Sequence, residues 1–363
     1  MANITLDNLA HSYETLPKQE EDWALKSLDM EWEDGGAYAL LGASGSGKTT
    51  LLNIISGLVA PTQGRVLFDG VDVTEAPTSD RNIAQVFQFP VVYDTMTVRQ
   101  NLAFPLRNRG QGAAYIETRV QQISKMIGLD PELDRRARGL TADVKQKISL
   151  GRGMVREDVN AILFDEPLTV IDPQMKWDLR TQLSRLQAEF GHTMIYVTHD
   201  QTEALSFADK VAVMFDGRIA QLGTPEELFK VPQHTFVGYF IGSPGMNLID
   251  VQVDGAKARI GDVTLDLCST YAPLNGNLQL GIRPEFVKFR NEGGLPVRVD
   301  RIEDVGRHKI VRAFHGETPI NGLLDEGESL SPEANFAIFD ADEIGIFEDE
   351  WRVEPLNKGQ STT

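Results

Sequence analysis

Residues 42–49, Gly42-Ala43-Ser44-Gly45-Ser46-Gly47-Lys48-Thr49, constrain this chain more than any other stretch, because they match G-x-x-x-x-G-K-[ST] at every defined position. The apolar run Ala37–Leu41 before them reads as a buried strand, and Thr50–Ile55 after them as the start of a helix. In such a strand–loop–helix turn, glycines let successive N–H groups face one anion while the helix dipole adds positive charge. Lys48 is then placed to reach the β- and γ-phosphates, and the Thr49 hydroxyl to bind Mg²⁺. The spacing predicts a nucleoside triphosphate site.

With 363 residues, the chain is long enough for two domains. No run reaches the roughly 20 apolar residues that span a bilayer, and the N-terminus lacks the basic-then-apolar pattern of a secretory signal. A net charge of −18 opposes nucleic acid and direct adsorption to an anionic leaflet. Membrane association should therefore run through protein partners. The single cysteine, Cys268, excludes an internal disulfide and reads as a small buried apolar residue.

Residues 1–235 alternate strand-like runs (37–41, 161–164, 194–197, 211–214) with helical stretches, predicting a parallel sheet covered by helices. Strand signals fade between Gln88 and Gly139, so a helical insert is expected over about 88–155, with Ala113–Ile127 as one helix. Residues 236–246 read as a linker. Short alternating runs at 278–282, 297–299 and 310–314 predict a small β-barrel or sandwich over 247–356, followed by a tail at 357–363.

Three further segments suit triphosphate chemistry. In Ala161–Pro167, four apolar residues make a buried strand, Asp165 at its end can hold the Mg²⁺ shell, and Glu166 can polarise a water as general base. His199 follows the strand 194–197, where it can donate to the γ-phosphate or orient the water. Gln88 lies where core gives way to insert and can bind Mg²⁺ or water.

Together these residues resemble the ATPase subunits of ABC transporters over nearly the whole chain. The resemblance makes Gly42–Thr49, with Thr50, the Walker A loop, Ile162–Glu166 the Walker B strand, and Gln88 the Q-loop glutamine. It makes Leu168–Asp172 the D-loop, with Asp172 at its end, His199 the switch histidine, and Tyr13 the adenine-stacking aromatic. Trp23, behind the acidic insertion Glu20-Glu21-Asp22, is the alternative stacker. Phe240–Pro244 and Gly281–Glu285 are similar to the carbohydrate-importer subclass. That implies an α/β P-loop ABC domain with a helical subdomain, then an all-β OB-like (MOP-type) barrel with a regulatory or dimerising role. It also implies ATP and Mg²⁺, two integral-membrane permease subunits, a solute-binding protein, and a peripheral place on the cytoplasmic face of the membrane. Phe89–Thr95 is the expected permease-docking segment.

One motif departs from that family. Its Leu-Ser-Gly-Gly-Gln signature is here Leu140-Thr141-Ala142-Asp143-Val144. A β-carbon at each former glycine hinders close approach of backbone to phosphate. At about 5 Å and an effective dielectric near 20, the Asp143 charge repels each phosphate charge by about 3 kcal/mol. Lys145 can offset part of this, and Asp143 can instead cap the following helix. The expectation is that this chain pairs with a second, different ATPase subunit whose intact signature completes its own site. The altered signature with Gln85–Leu106 resembles one ATPase subunit of two-ATPase glycerol or glycerol-phosphate importers. The alternative is a nucleotide-gated, weakly hydrolysing subunit of the same kind of complex.

Overall fold

The computed structural model describes residues 2–356, so the 357–363 tail lies outside the described residues. The chain divides into two compact units, the first ending at Pro225 and the second beginning at Glu226. The first opens with β1 (Ile4–His11), β2 (Leu25–Trp32), β3 (Ala37–Leu41), α1 (Lys48–Ser56), β4 (Gln63–Phe68), β5 (Val71–Asp72) and β6 (Ala84–Val86). Three helices follow: α2 (Val98–Asn108), α3 (Ala113–Met126) and α4 (Ala142–Met154). The unit closes with β7 (Ile162–Asp165), α5 (Pro173–Phe190), β8 (Met194–Thr198), α6 (Gln201–Phe207), β9 (Lys210–Phe215) and β10 (Arg218–Gly223).

Its main sheet has the order β10-β9-β3-β8-β7-β6, parallel except for the antiparallel edge strand β10. All five residues of β3 are buried, as expected of a parallel strand covered on both faces, and this is why it reads as an unbroken apolar run. The predicted strands and the helix at Ala113 lie where the periodicity put them. A second sheet, β2-β1-β4-β5, is antiparallel and was not anticipated. Register shifts between Leu6 and Leu9, and again before His11, break the two-residue alternation that would have marked β1. Leu6, Met30, Trp32 and Val66 from this sheet share one core with Leu51, Leu52 and Ile55 of α1 and with Leu40 and Val197 of the main sheet. That burial fixes α1, and with it the loop at its N-terminus.

The second unit carries α7 (Pro225–Lys230), α8 (Thr235–Phe240) and strands from β11 (Asn247–Asp250) to β23 (Trp351–Arg352), which pair into four small antiparallel sheets. Its core includes Ile249, Leu280, Ile282, Val311, Ile320 and Ile346. The two short helices belong here because Arg283, 4% exposed, donates to the carbonyls of Leu228, Phe229, Gly238 and Ile241. Its guanidinium lies 4.0 Å from the Phe229 ring centre, and burial pushes its pKa down to about 10. One side chain thus satisfies helix-end carbonyls that would otherwise be stranded. Cys268, expected to be buried, is exposed. Its thiol is raised to about 11, chiefly by a hydrogen bond with Asp342, so it stays protonated at neutral pH.

Between α5 and β8, His192 is 2% exposed and packs 5.8 Å from the Phe190 ring, whose face carries the Arg119 guanidinium at 4.1 Å. Burial first, and Arg119 second, push His192 down to about 4, against about 6.5 in the unfolded chain. Above pH 6.5 both states are neutral and the stability is whole. As pH falls from 6.5 to about 4, the unfolded chain takes up the proton that the folded one refuses, at a cost of about 3 kcal/mol. Denaturation curves between pH 7 and 4 should show this loss in the wild type and a correspondingly smaller one in His192→Leu.

Candidate functional site

The site forms where four neighbouring parallel strands end. β3 runs into Gly42–Gly47, β7 into Glu166, β8 into His199 and β6 into the segment holding Gln88. A β-carbon on Gly42 would lie 2.3 Å from the Met214 carbonyl oxygen. At Gly47, φ is +99° and a β-carbon would lie 2.6 Å from the Ala24 oxygen, so both positions demand glycine. Gly47 is the N-cap of α1 and brings no side-chain cap, leaving first-turn N–H groups to an anion. Ala43, Ser44 and Gly45 are exposed along the loop, and Ser46 is buried beneath it.

Lys48 is only 5% exposed, and its ammonium donates at 2.8 Å to the carbonyls of both Gly42 and Ala43. Burial lowers its pKa, while Glu166 and Asp165 act in the opposite sense. The lysine is therefore folded over the loop that it would release on meeting a phosphate. The Thr49 hydroxyl donates to Asp165 Oδ1 at 3.3 Å. Burial raises the Asp165 pKa, the Thr49 bond opposes that, and neighbouring Glu166 adds to it. Among the described residues, no three His, Cys, Asp or Glu side chains group to hold a metal alone. One hydroxyl beside one partly buried carboxylate suits Mg²⁺, which binds through few protein oxygens and takes the rest from phosphate and water.

Glu166 adopts φ of +45°, a left-handed conformation uncommon for a residue with a side chain. Its N–H donates to the Val197 carbonyl at 2.9 Å. Its Oε1 lies 3.0 Å from His199 Nδ1, and its Oε2 accepts from the Thr169 hydroxyl at 3.3 Å. Asp172 is the N-cap of α5, accepting from the Gln174 N–H at 2.9 Å.

Gln88 stands two residues past Val86, whose strand pairs with β7 through Phe164, and it is half-buried. The sequence reading missed the residue that fixes its segment. Fully buried Gln146 of α4 donates to the Phe87 and Pro167 carbonyls at 3.1 and 2.8 Å. A glutamine on the apolar face of α4, beside Ser149 and Leu150, was the available signal.

Tyr13 is exposed, and its hydroxyl lies 3.1 Å from Thr50 Oγ1. Its ring meets His11 edge-on at 4.6 Å. The acidic insertion after it forms a short turn in which Asp22 accepts from the Lys18 and Gln19 N–H groups, and Trp23 is half-buried.

At the altered signature, the N-cap of α4 is Thr141, not Asp143, and its side chain makes no capping bond. Thr141 and Ala142 are exposed, while Leu140, Asp143 and Val144 are half-buried. Asp143 sits in the first turn, where a carboxylate favours the helix dipole. Lys145 is held by Asp94 at 2.8 Å, which draws on the charge expected to offset Asp143.

A glycine-rich anion cradle, a buried lysine, a carboxylate–hydroxyl pair and a Glu–His pair on one sheet edge define a P-loop nucleotide-binding cassette. The ABC transporter family profile matches residues 25–169. The sn-glycerol-3-phosphate import ATP-binding protein UgpC of Roseobacter denitrificans is 35% identical, over 96% of this chain and 98% of its own length. The UgpC protein of Salmonella typhimurium is 38% identical over 81% of this chain and 84% of its own. Among solved structures, cbiO1 of Clostridium perfringens, part of the ABC transporter complex cbiONQ, superposes with a TM-score of 0.57. That match has 28% identity and covers 62% of this chain and 90% of cbiO1. A dimeric post-hydrolysis cassette, MJ0796 with ADP and Pi, gives 0.54 at 25% identity, covering 61% of this chain and 98% of its own. The chain belongs to the ATP-binding, ATP-hydrolysing subunits of ABC transporters.

Removing the Lys48 ammonium should weaken ATP binding by roughly tenfold to a hundredfold. Calorimetric titration of Lys48→Ala, with an unchanged far-UV spectrum, checks this.

Proposed function

We propose that this chain powers uptake of glycerol 3-phosphate or a closely related polyol through a pair of membrane permeases. It supplies the phosphate cradle, metal shell and base of a composite ATP site. The observation that carries the reading is the convergence of Lys48, Thr49, Asp165, Glu166 and His199 on one sheet edge. The names of the full-length relatives support the solute. Tyr13 stacks on the base, residues 42–50 cradle the phosphates, and Lys48 exchanges its carbonyl partners for phosphate oxygens. Thr49, Asp165 and Gln88 would hold Mg²⁺, which would supply positive charge to neutralise the phosphates. Glu166 takes a proton from the attacking water as its oxygen bonds to the γ-phosphorus and the bond to the β-phosphate oxygen breaks. His199 holds Glu166 and donates toward the γ-phosphate.

The permeases dock beside Gln88. Phe87, Phe89, Val91 and Tyr93 are exposed there, and a cleft of about 240 Å³ lies among Phe87, Val91, Pro105 and Arg152. Clustered exposed apolar side chains mark an interaction surface. Among the described residues no helix is long and apolar enough to cross a membrane, which suits attachment to the cytoplasmic face through such partners. The strands after Asn247 form the OB-like regulatory or dimerising barrel.

The partner cassette is a different subunit, because Ala142 and Asp143 at the start of α4 bar close backbone approach to a partner's γ-phosphate. Its intact signature completes this chain's site, while the site that uses Thr141–Val144 is impaired. A complex in which neither site turns over quickly is the second reading, favoured by that same stretch. Phosphate release should be slow for the isolated chain, even at concentrations that drive self-association, and fast once the second subunit is added. Full turnover by the isolated chain contradicts the pairing. Replacing Ala142 and Asp143 by glycine should raise the isolated chain's rate roughly tenfold or more.

A further inference from the structure

Glu203, in the first turn of α6, is 3% exposed, and its carboxylate carries hydrogen bonds from three side chains on two other elements. Oε2 accepts from the Tyr196 hydroxyl at 3.0 Å and from the Thr198 hydroxyl at 2.9 Å, both on β8. Oε1 accepts from Lys176 of α5 at 3.1 Å. Tyr196 and Thr198 are themselves buried. A buried carboxylate costs several kcal/mol to desolvate, so a fully partnered one marks a position the fold holds tightly.

His199 lies inside this network without touching it. Thr198 Oγ1 also accepts from the Asp200 N–H at 3.0 Å, so one hydroxyl bridges the two residues flanking His199. Asp200 Oδ1 in turn accepts from the N–H groups of Thr202 and Glu203, capping α6. The backbone of His199 is clamped on both sides while its ring stays half exposed and points at Glu166. Through Lys176, the same carboxylate reaches α5, whose first turn is capped by Asp172.

We propose that Glu203 is a positioning residue for ATP hydrolysis: it locks the Thr198–Asp200 turn, and so His199, to the helix that begins at Asp172. The inference rests on the role given to His199 above. When α5 shifts with its cap, Lys176 and Glu203 carry the shift to the His199 turn, so histidine and D-loop segment move as one body.

Glu203→Gln turns one acceptor into an N–H₂ donor facing donors. Thr198→Val removes only a hydroxyl at nearly constant volume, and Thr198→Ser restores it. In the assembled transporter, Glu203→Gln and Thr198→Val should lower kcat for ATP by roughly tenfold to a hundredfold with KM within about twofold, and Thr198→Ser should recover most of the rate. In a His199→Ala background, Glu203→Gln should cost nothing further. The inference is overturned if Glu203→Gln and Thr198→Val keep the wild-type kcat while His199→Ala does not. It is equally overturned if their losses multiply with His199→Ala, or if serine fails where threonine works. Wild-type hydrolysis by His199→Ala would instead defeat the role assigned to that histidine.

Discussion

The phosphate loop, the Asp165–Glu166 pair and His199 owe their places to the parallel hydrogen-bonded ladder of β3, β8 and β7. Its register sets Leu41 beside Thr198, and Asp165 beside Val197. Since all three strands run one way, the phosphate loop, the Asp165–Glu166 pair and His199 must emerge together at their C-terminal ends. β3 and β8 are buried along their whole length and β7 up to Asp165, so a slip in register would set Leu40, Leu163 and Val197 against the wrong neighbours in a close-packed core. Even the strained backbone of Glu166 is held by it, through the bond to the Val197 carbonyl.

Around that rigid edge the side chains are arranged in a self-satisfied state. Lys48 spends its donors on loop carbonyls, Thr49 on Asp165, and His199 on Glu166. On the proposed reading, each of these bonds joins groups that nucleotide, metal and water would engage, so binding would exchange partners rather than create order from a loose loop. Gln146 and Glu203 extend the arrangement outward. The first ties α4 to the Gln88 segment and to Pro167, the second ties α5 to the His199 turn.

Local motifs were legible because their chemistry is local. The phosphate loop needs glycines where backbone must face an anion, and a doubly covered strand needs an unbroken apolar run, so residues 37–49 announced both. The antiparallel sheet was missed because bulges in β1 disrupt the alternation that marks a strand. Gln146 and Glu203 were missed because a polar residue in a helix reads as solvent-facing until the partners brought by distant strands and loops are known. Cys268 was misjudged for the converse reason: its exposure is set by tertiary surroundings that composition does not carry. The motif Gly281–Glu285 was read as a subclass marker. Its arginine proves to hold four helix-end carbonyls, a packing demand that explains the residue locally.

The proposed pairing of this chain with a different cassette rests on Thr141–Val144, which presents no glycine backbone to a partner's phosphate. Native mass spectrometry of the intact transporter, isolated from cells through a tag on one permease, counts the cassettes directly. One copy of this chain beside one different ATP-binding subunit is the predicted composition. Two copies of this chain with no other cassette would contradict it.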